Sequence, residues 1–133
     1  MRTLLVTFAI GCAFASAAQA QNRQVSLVSP PAISQSQDDV MTSRFGNTTV
    51  ARTAKGHEVH FYYNPDHTFT GRVVDVSYDL RGTWVVENGQ LCRNYNPLPP
   101  MTTNPDCQTV AAEKIGDTWT VDGNTATLVA GIR

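Results

Sequence analysis

The chain has 133 residues, enough for one domain with a hydrophobic core and too few for a multidomain enzyme. Hydrophobic residues make up 41% and charged residues 16% of the sequence, which is typical of a folded globular protein rather than a disordered chain. Lys and Arg number 10 against 11 Asp and Glu, so the net charge of −1 argues against the clustered positive face that a nucleic acid partner requires.

Residues 1–20 have the pattern of an export signal. Arg2 precedes an apolar stretch from residue 4 to residue 18, and Ala18-Gln19-Ala20 places small residues at the cleavage positions. A lipobox-like stretch that ends at Cys12 leaves a lipoprotein as an alternative. No later stretch has the roughly 20 apolar residues of a membrane span. The sequence therefore predicts a periplasmic or secreted protein with a cleaved signal peptide.

The segment after the signal, residues 21–37, is rich in Ser, Gln and Pro, which predicts a flexible lead-in. Ser36 or Asp38 can then cap a short helix that ends near Arg44. The apolar stripe of this helix would consist of Val40, Met41 and Phe45. We expect the stripe to pack on the main body, where the helix could plug one end.

The first hairpin is predicted at Asn64-Pro65-Asp66-His67, which fits a type I turn followed by a left-handed residue. Glycine is usual at the left-handed position, but His is enriched among the non-glycine residues with positive φ. We therefore interpret His67 as a turn residue. The flanking strands alternate, and their shared apolar face consists of Val59, Phe61, Tyr63, Phe69, Gly71 and Val73.

The second hairpin has the strongest signal, because Asn88-Gly89 separates two alternating runs. This turn sets three cross-strand pairs on one face: Val86 with Leu91, Trp84 with Arg93, and Gly82 with Tyr95. We expect Trp84 to stack on Arg93, since a cation–π contact would explain a charge on an apolar face.

Two cysteines, Cys92 and Cys107, remain once Cys12 leaves with the signal. Disulfides form and persist in the oxidising compartments that exported proteins reach. A redox dithiol would favour Cys-x-x-Cys spacing, which is absent. The sequence therefore predicts a structural disulfide, which would staple a proline-rich loop to the body.

Two further turns follow, at Gly116-Asp117 and Asp122-Gly123. The first would pair Lys114 with Trp119 and Ala112 with Val121, and the second leads into a strand over 125–129. The result is about seven short antiparallel strands without helical crossovers, which excludes a parallel α/β sheet. We predict a mainly β fold over residues 38–133, an antiparallel meander that forms a small barrel or half-barrel, with a two-layer sandwich as the alternative.

Turn glycines, one tryptophan and two cysteines follow one another in a characteristic order over residues 45–121. The order is Phe45-Gly46-Asn47-Thr48 after the helix, Tyr62 to Phe69 leading to Gly71, Gly82-Thr83-Trp84, Leu91-Cys92 and Cys107. It is similar to the layout of small exported bacterial β-proteins of unknown function, except that His67 stands where glycine would be expected. The resemblance implies a lipocalin-like or half-barrel envelope protein and transfers no activity.

Catalytic signatures are absent: the sequence has no Gly-x-Ser-x-Gly elbow, His-Glu-x-x-His helix, phosphate loop or calcium loop. His57, His60 and His67 lie within eleven residues, but the first two would point to opposite faces of a strand. We also expect Glu58 and His60 to diverge across the sheet, which weakens acid–base catalysis. No catalytic residue, metal site or cofactor is therefore predicted.

One set of side chains is the candidate ligand site: Phe61, Tyr63, Trp84, Arg93, Tyr95 and Trp119. The same set is also suited to a packed core. If the meander closes, its interior can be filled by side chains or can hold one small ligand.

These observations favour an exported, non-enzymatic β-module that binds a small apolar ligand or an envelope protein through its open end and the loop of residues 97–105. One alternative is a small hydrolase or isomerase that uses Glu58, His60 or His67. Another is an inhibitor of a cell-wall hydrolase or protease, whose loop inserts into the enzyme. The sequence leaves the oligomeric state open.

Overall fold

The computed structural model describes residues 37–133. The predicted signal peptide, and all of the predicted flexible segment except residue 37, lie outside the described residues. Within residues 37–133, no helix combines the length and the apolar character needed to cross a bilayer.

Eight antiparallel strands form one sheet in the order β6-β5-β4-β3-β2-β1-β8-β7. The strands are β1 (Thr48–Arg52), β2 (Glu58–Tyr63), β3 (Thr68–Val73), β4 (Tyr78–Glu87), β5 (Gln90–Tyr95), β6 (Asp106–Thr109), β7 (Thr118–Val121) and β8 (Asn124–Val129). The sheet curls into a nearly closed barrel whose edges are β6 and β7. The prediction of a mainly β meander with one short helix is confirmed.

The helix is a 3-10 helix, Gln37–Arg44, that packs against β2 and β4. Met41 is fully buried in the core, as the apolar stripe predicts. The buried Arg44 guanidinium donates from Nη1 to the carbonyl oxygen of Ala111 at 3.1 Å and lies 5.2 Å from the ring centre of Trp119. Through Arg44, the helix therefore contacts both the segment after β6 and strand β7.

The predicted hairpin turns at Asn88-Gly89 and Asp122-Gly123 are confirmed. Their residues all have positive φ, 51° and 73° in the first turn and 49° and 77° in the second. Two central residues with positive φ define a type I′ turn, which matches the twist of the flanking strands. The register between β4 and β5 follows, with Val86 opposite Leu91 and Trp84 opposite Arg93 as predicted.

His67 adopts the left-handed conformation that the turn requires, with φ of 68°. Its ring also stacks on Trp84, with the ring centres 4.3 Å apart and an angle of 8° between the planes. The predicted stacking of Trp84 on Arg93 is therefore wrong. The Arg93 guanidinium instead lies 4.5 Å from the ring centre of Phe61.

The predicted hairpin that paired residues 112–114 with β7 is wrong. The preceding strand is β6, which pairs with β5, so the sheet has eight strands rather than about seven. Residues 111–114, Ala-Ala-Glu-Lys, favour strand structure weakly. Backbone groups of this segment form hydrogen bonds with side chains and not with β7. The carbonyl oxygen of Ala111 accepts from Arg44, and the amide of Lys114 donates to the Asp117 carboxylate at 2.8 Å. The turn itself lies at Ile115-Gly116, where the amide of Asp117 donates to the carbonyl oxygen of Lys114 at 2.9 Å, and no strand leads directly into it.

The predicted disulfide is confirmed, and Cys92 and Cys107 lie directly opposite each other in the β5–β6 pair. The side chain of Asn104 extends this pairing, because its amide group donates to the carbonyl oxygen of Tyr95 and accepts from the Tyr95 amide, both at 2.8 Å. The loop between β5 and β6 is thus fixed at its base by a covalent bond and by two hydrogen bonds.

Removal of the disulfide by Cys92→Ala with Cys107→Ala should lower the free energy of unfolding by about 3 kcal/mol, the value for a loop of about 15 residues. The bond restricts the unfolded chain, and its loss restores that chain entropy. Urea unfolding measures the change, and reduction of the wild-type protein should reproduce it while leaving the double variant unaffected. A double variant as stable as the oxidised protein would contradict this role.

Candidate functional site

The interior of the barrel has a packed half and a hollow half. The packed half lies beside the 3-10 helix and contains Met41, Trp84, Val86 and Leu91, all nearly or fully buried. The hollow half is an open cavity of about 780 Å³ toward the other ends of the same strands. This volume lies within the range of about 300–1,000 Å³ that is typical of small-molecule sites.

The walls of the cavity are mainly apolar. Because side chains alternate across a strand, every second residue of the sheet points into the barrel. The apolar lining comes from Val59, Phe61, Val73, Leu80, Trp119, Val121 and Ala126. On β1 and β8 the lining includes the small side chains of Thr49, Ala51 and Ala126.

A polar cluster of Arg93, Asp106, Tyr95 and Gln108 lines one side of this cavity. The guanidinium of Arg93 donates from Nη2 to Oδ2 of Asp106 at 2.7 Å and to Oε1 of Gln108 at 3.1 Å, and from Nη1 to the Tyr63 hydroxyl at 3.2 Å. The hydroxyl of Tyr95 also donates to Oδ2 of Asp106, at 3.1 Å. The cluster is therefore a hydrogen-bonded ion pair set into an apolar wall.

Burial controls the protonation of this cluster. Arg93 is only 6% exposed, and although burial alone would lower its pKa, attraction to Tyr63, Tyr95 and Asp106 raises the pKa overall. Burial also raises the pKa of Tyr95, opposed in part by Arg93. At neutral pH the guanidinium therefore carries its charge, and the phenol keeps the proton that it donates to Asp106.

The mouth of the cavity is formed by the connection into β4 and by the disulfide-stapled loop. Val76 and Tyr78 lie on one side and residues 99–103 on the other, with Met101 93% exposed. His57 also lines the cavity, and its Nδ1 lies 2.6 Å from Oδ2 of Asp75. The hydrogen bond with His57 lowers the pKa of Asp75. The mouth thus combines apolar side chains with one His–carboxylate pair.

The structure places four of the six predicted ligand-site residues around the cavity: Phe61, Arg93, Tyr95 and Trp119. The other two, Tyr63 and Trp84, lie in the packed core beside the helix, although the Tyr63 hydroxyl contacts Arg93. Sequence reasoning missed Asp106 and Gln108, which reach the site because β6 pairs with β5. Only the register that sets Arg93 opposite Asp106 could have revealed them.

The three histidines each contact a different carboxylate. His57 pairs with Asp75, His60 with Glu58 at 2.8 Å, and His67 with Asp38 at 2.8 Å. The expectation that Glu58 and His60 diverge is wrong, because residues two apart on a strand share a face. The structure does not join Glu58, His60 and His67 in one hydrogen-bonded group, and residues 37–133 contain no cluster of three or more ligands suited to a metal ion.

Comparisons with known proteins supply no functional assignment. No protein-family model matches the sequence, and neither curated proteins nor solved structures give a significant match. A functional hypothesis for this chain therefore depends on the geometry of the cavity and on the chemistry of its lining.

Proposed function

We propose that the protein is an exported, non-enzymatic module that binds one small, largely apolar molecule in the hollow half of its barrel. The observation that carries the proposal is the cavity of about 780 Å³ directly beside a fully packed core. Protein interiors normally pack as densely as organic crystals, and a hollow lined by apolar side chains forfeits dispersion contacts. A bound apolar molecule would restore those contacts.

The chemistry of the lining supports the same proposal. Binding sites for small molecules combine mostly apolar walls with a few converging polar groups that fix the orientation of the ligand. Here the apolar walls converge on Arg93, Asp106 and Gln108. A ligand would therefore bury its apolar body between Phe61 and Trp119 and direct a polar end toward this cluster.

Export is part of the proposal and has separate support. The disulfide between Cys92 and Cys107 suits an oxidising compartment, where such bonds persist. The signal-like pattern of residues 1–20 points to the same location.

The test is a fluorescence titration of the purified full chain with phenylnaphthylamine. This uncharged probe becomes more fluorescent in an apolar site. We expect saturable binding to the wild-type protein and an affinity at least about ten-fold lower for Ala126→Phe, equivalent to about 1.4 kcal/mol. The added ring would occupy space in the cavity, which Ala126 lines.

Thr125→Phe is the matched control, since the neighbouring position on β8 is exposed and does not line the cavity. This variant should bind the probe as the wild-type protein does. Circular dichroism and thermal unfolding would verify that both variants fold. Absence of saturable binding, or equal binding by a folded Ala126→Phe variant, would overturn the proposal.

A further inference from the structure

We infer that the ligand of this cavity is uncharged: an apolar molecule with a hydroxyl or amide group at its polar end. The inference rests on the proposed binding function and specifies its chemical class. It follows from how the charges that line the cavity are already paired and from which polar atoms remain without partners.

The charges inside the cavity are paired with each other. Arg93 and Asp106 form an ion pair at 2.7 Å, and at the mouth His57 forms a hydrogen bond with Asp75, with 2.6 Å between Nδ1 and Oδ2. The remaining ionisable lining residues, Tyr78 and Tyr95, are phenols. An ionised ligand would therefore enter an apolar site that holds no counterion to spare. Burial of a charge without a partner is strongly unfavourable.

The Arg93 guanidinium is also poorly placed to bind an anion. Its Nη atoms donate to Tyr63, Asp106 and Gln108, and one face of the group lies on the Phe61 ring. Its remaining nitrogen, Nε, is buried and has no hydrogen-bond partner among the described residues. Strong recognition of a carboxylate or phosphate by arginine needs two parallel N–H groups that face the ligand. Arg93 already donates both N–H groups of Nη2 and one of Nη1 to the protein, so it has no free pair of Nη N–H groups for such a ligand.

Two polar atoms of the cluster remain available to a neutral group. Gln108 accepts from Arg93 through Oε1, so its amide nitrogen is free to donate, and Asp106 accepts from Arg93 and Tyr95 through Oδ2, so its Oδ1 is free to accept. Neither free atom has a hydrogen-bond partner within residues 37–133. A donor and an acceptor in the lining of the same cavity match a hydroxyl or an amide, each of which both donates and accepts.

Two probes with the same ring system test the inference: uncharged phenylnaphthylamine and its sulfonated counterpart, anilinonaphthalene sulfonate. Their affinity ratio for the full wild-type chain is compared with their partition ratio into uncharged detergent micelles, which accounts for the difference in apolarity. We expect the protein to favour the uncharged probe at least about ten-fold beyond the micelle ratio. Equal or tighter binding of the sulfonate, sensitive to Ala126→Phe, would overturn the inference.

The variant Asp106→Asn provides a second test, because it leaves Arg93 without its counterion. The preference for the uncharged probe should then fall at least about ten-fold. Asp79→Asn is the matched control, since it makes the same change in net charge at an exposed residue that does not line the cavity. An unchanged preference in a folded Asp106→Asn protein would contradict the inference. If that variant does not fold, the inference is judged from the affinity ratio of the two probes for the wild-type protein, compared with their micelle partition ratio.

The two proposals fail in different ways. If neither probe binds, or if Ala126→Phe weakens neither, the proposed function is wrong. If both probes bind in the cavity and the sulfonate is not disfavoured, only the assignment of an uncharged ligand is wrong.

Discussion

Trp84→Ala should lower the free energy of unfolding by about 3–5 kcal/mol, the range for truncation of a buried tryptophan. Trp84 is 2% exposed and contacts Phe45, Tyr63 and His67. Its Nε1 donates to the carbonyl oxygen of Asn64 at 3.0 Å. Truncation would leave a void in the packed half of the barrel, lose this hydrogen bond, and uncover the ring of His67. Urea unfolding followed by circular dichroism measures the change.

Probe binding should separate the two halves of the barrel. Because Trp84 does not line the cavity, folded Trp84→Ala protein should bind phenylnaphthylamine with nearly wild-type affinity. Trp84→Phe is the matched control, since it keeps a ring against His67 and should cost less than the alanine variant. Loss of probe binding at a temperature where Trp84→Ala remains folded would show that the two halves are coupled, contrary to this expectation.

The local features of the fold could be predicted because they depend on a few neighbouring residues. Asn88-Gly89 accepts positive φ at both positions, and this alone set the register that brings Trp84 opposite Arg93. The left-handed conformation of His67 followed from the type I turn that Asn64-Pro65-Asp66-His67 fits, which leaves its fourth residue left-handed. The disulfide followed from the cysteine count and the predicted compartment.

The polar half of the site could not be predicted, because it depends on long-range pairing. Asp106 and Gln108 enter the cavity only through the pairing of β6 with β5. The sequence instead suggested a local hairpin at Gly116-Asp117, where the long-range hydrogen bond of Arg44 to Ala111 and the local hydrogen bond of Lys114 to Asp117 take the place of strand pairing. The sequence also could not show which of the candidate aromatic residues form the core and which line the cavity, because that depends on how the side chains pack in the folded protein. Phe61 and Trp119 border the hollow half, whereas Trp84 lies in the packed half.

The ion pair of Arg93 and Asp106 allows an asymmetric prediction, since its two partners differ in burial. The side chain of Arg93 is 7% exposed and that of Asp106 is 34% exposed. Asp106→Leu would leave a buried guanidinium without its counterion and should lower the free energy of unfolding by about 3–5 kcal/mol. Arg93→Met should cost less, about 1–3 kcal/mol, because water at the cavity can hydrate the remaining carboxylate and Tyr95 still donates to it.

The double variant, Arg93→Met with Asp106→Leu, should be more stable than Asp106→Leu alone and fall within about 1 kcal/mol of the wild-type protein. Replacement of both partners removes the desolvation penalty of the charges, whereas removal of one leaves it unopposed. Urea unfolding of the four proteins measures the coupling between the two sites. If the losses of the single variants simply add in the double variant, Arg93 and Asp106 act independently in the wall of the cavity, and the ion pair does not determine the charge that a ligand meets there.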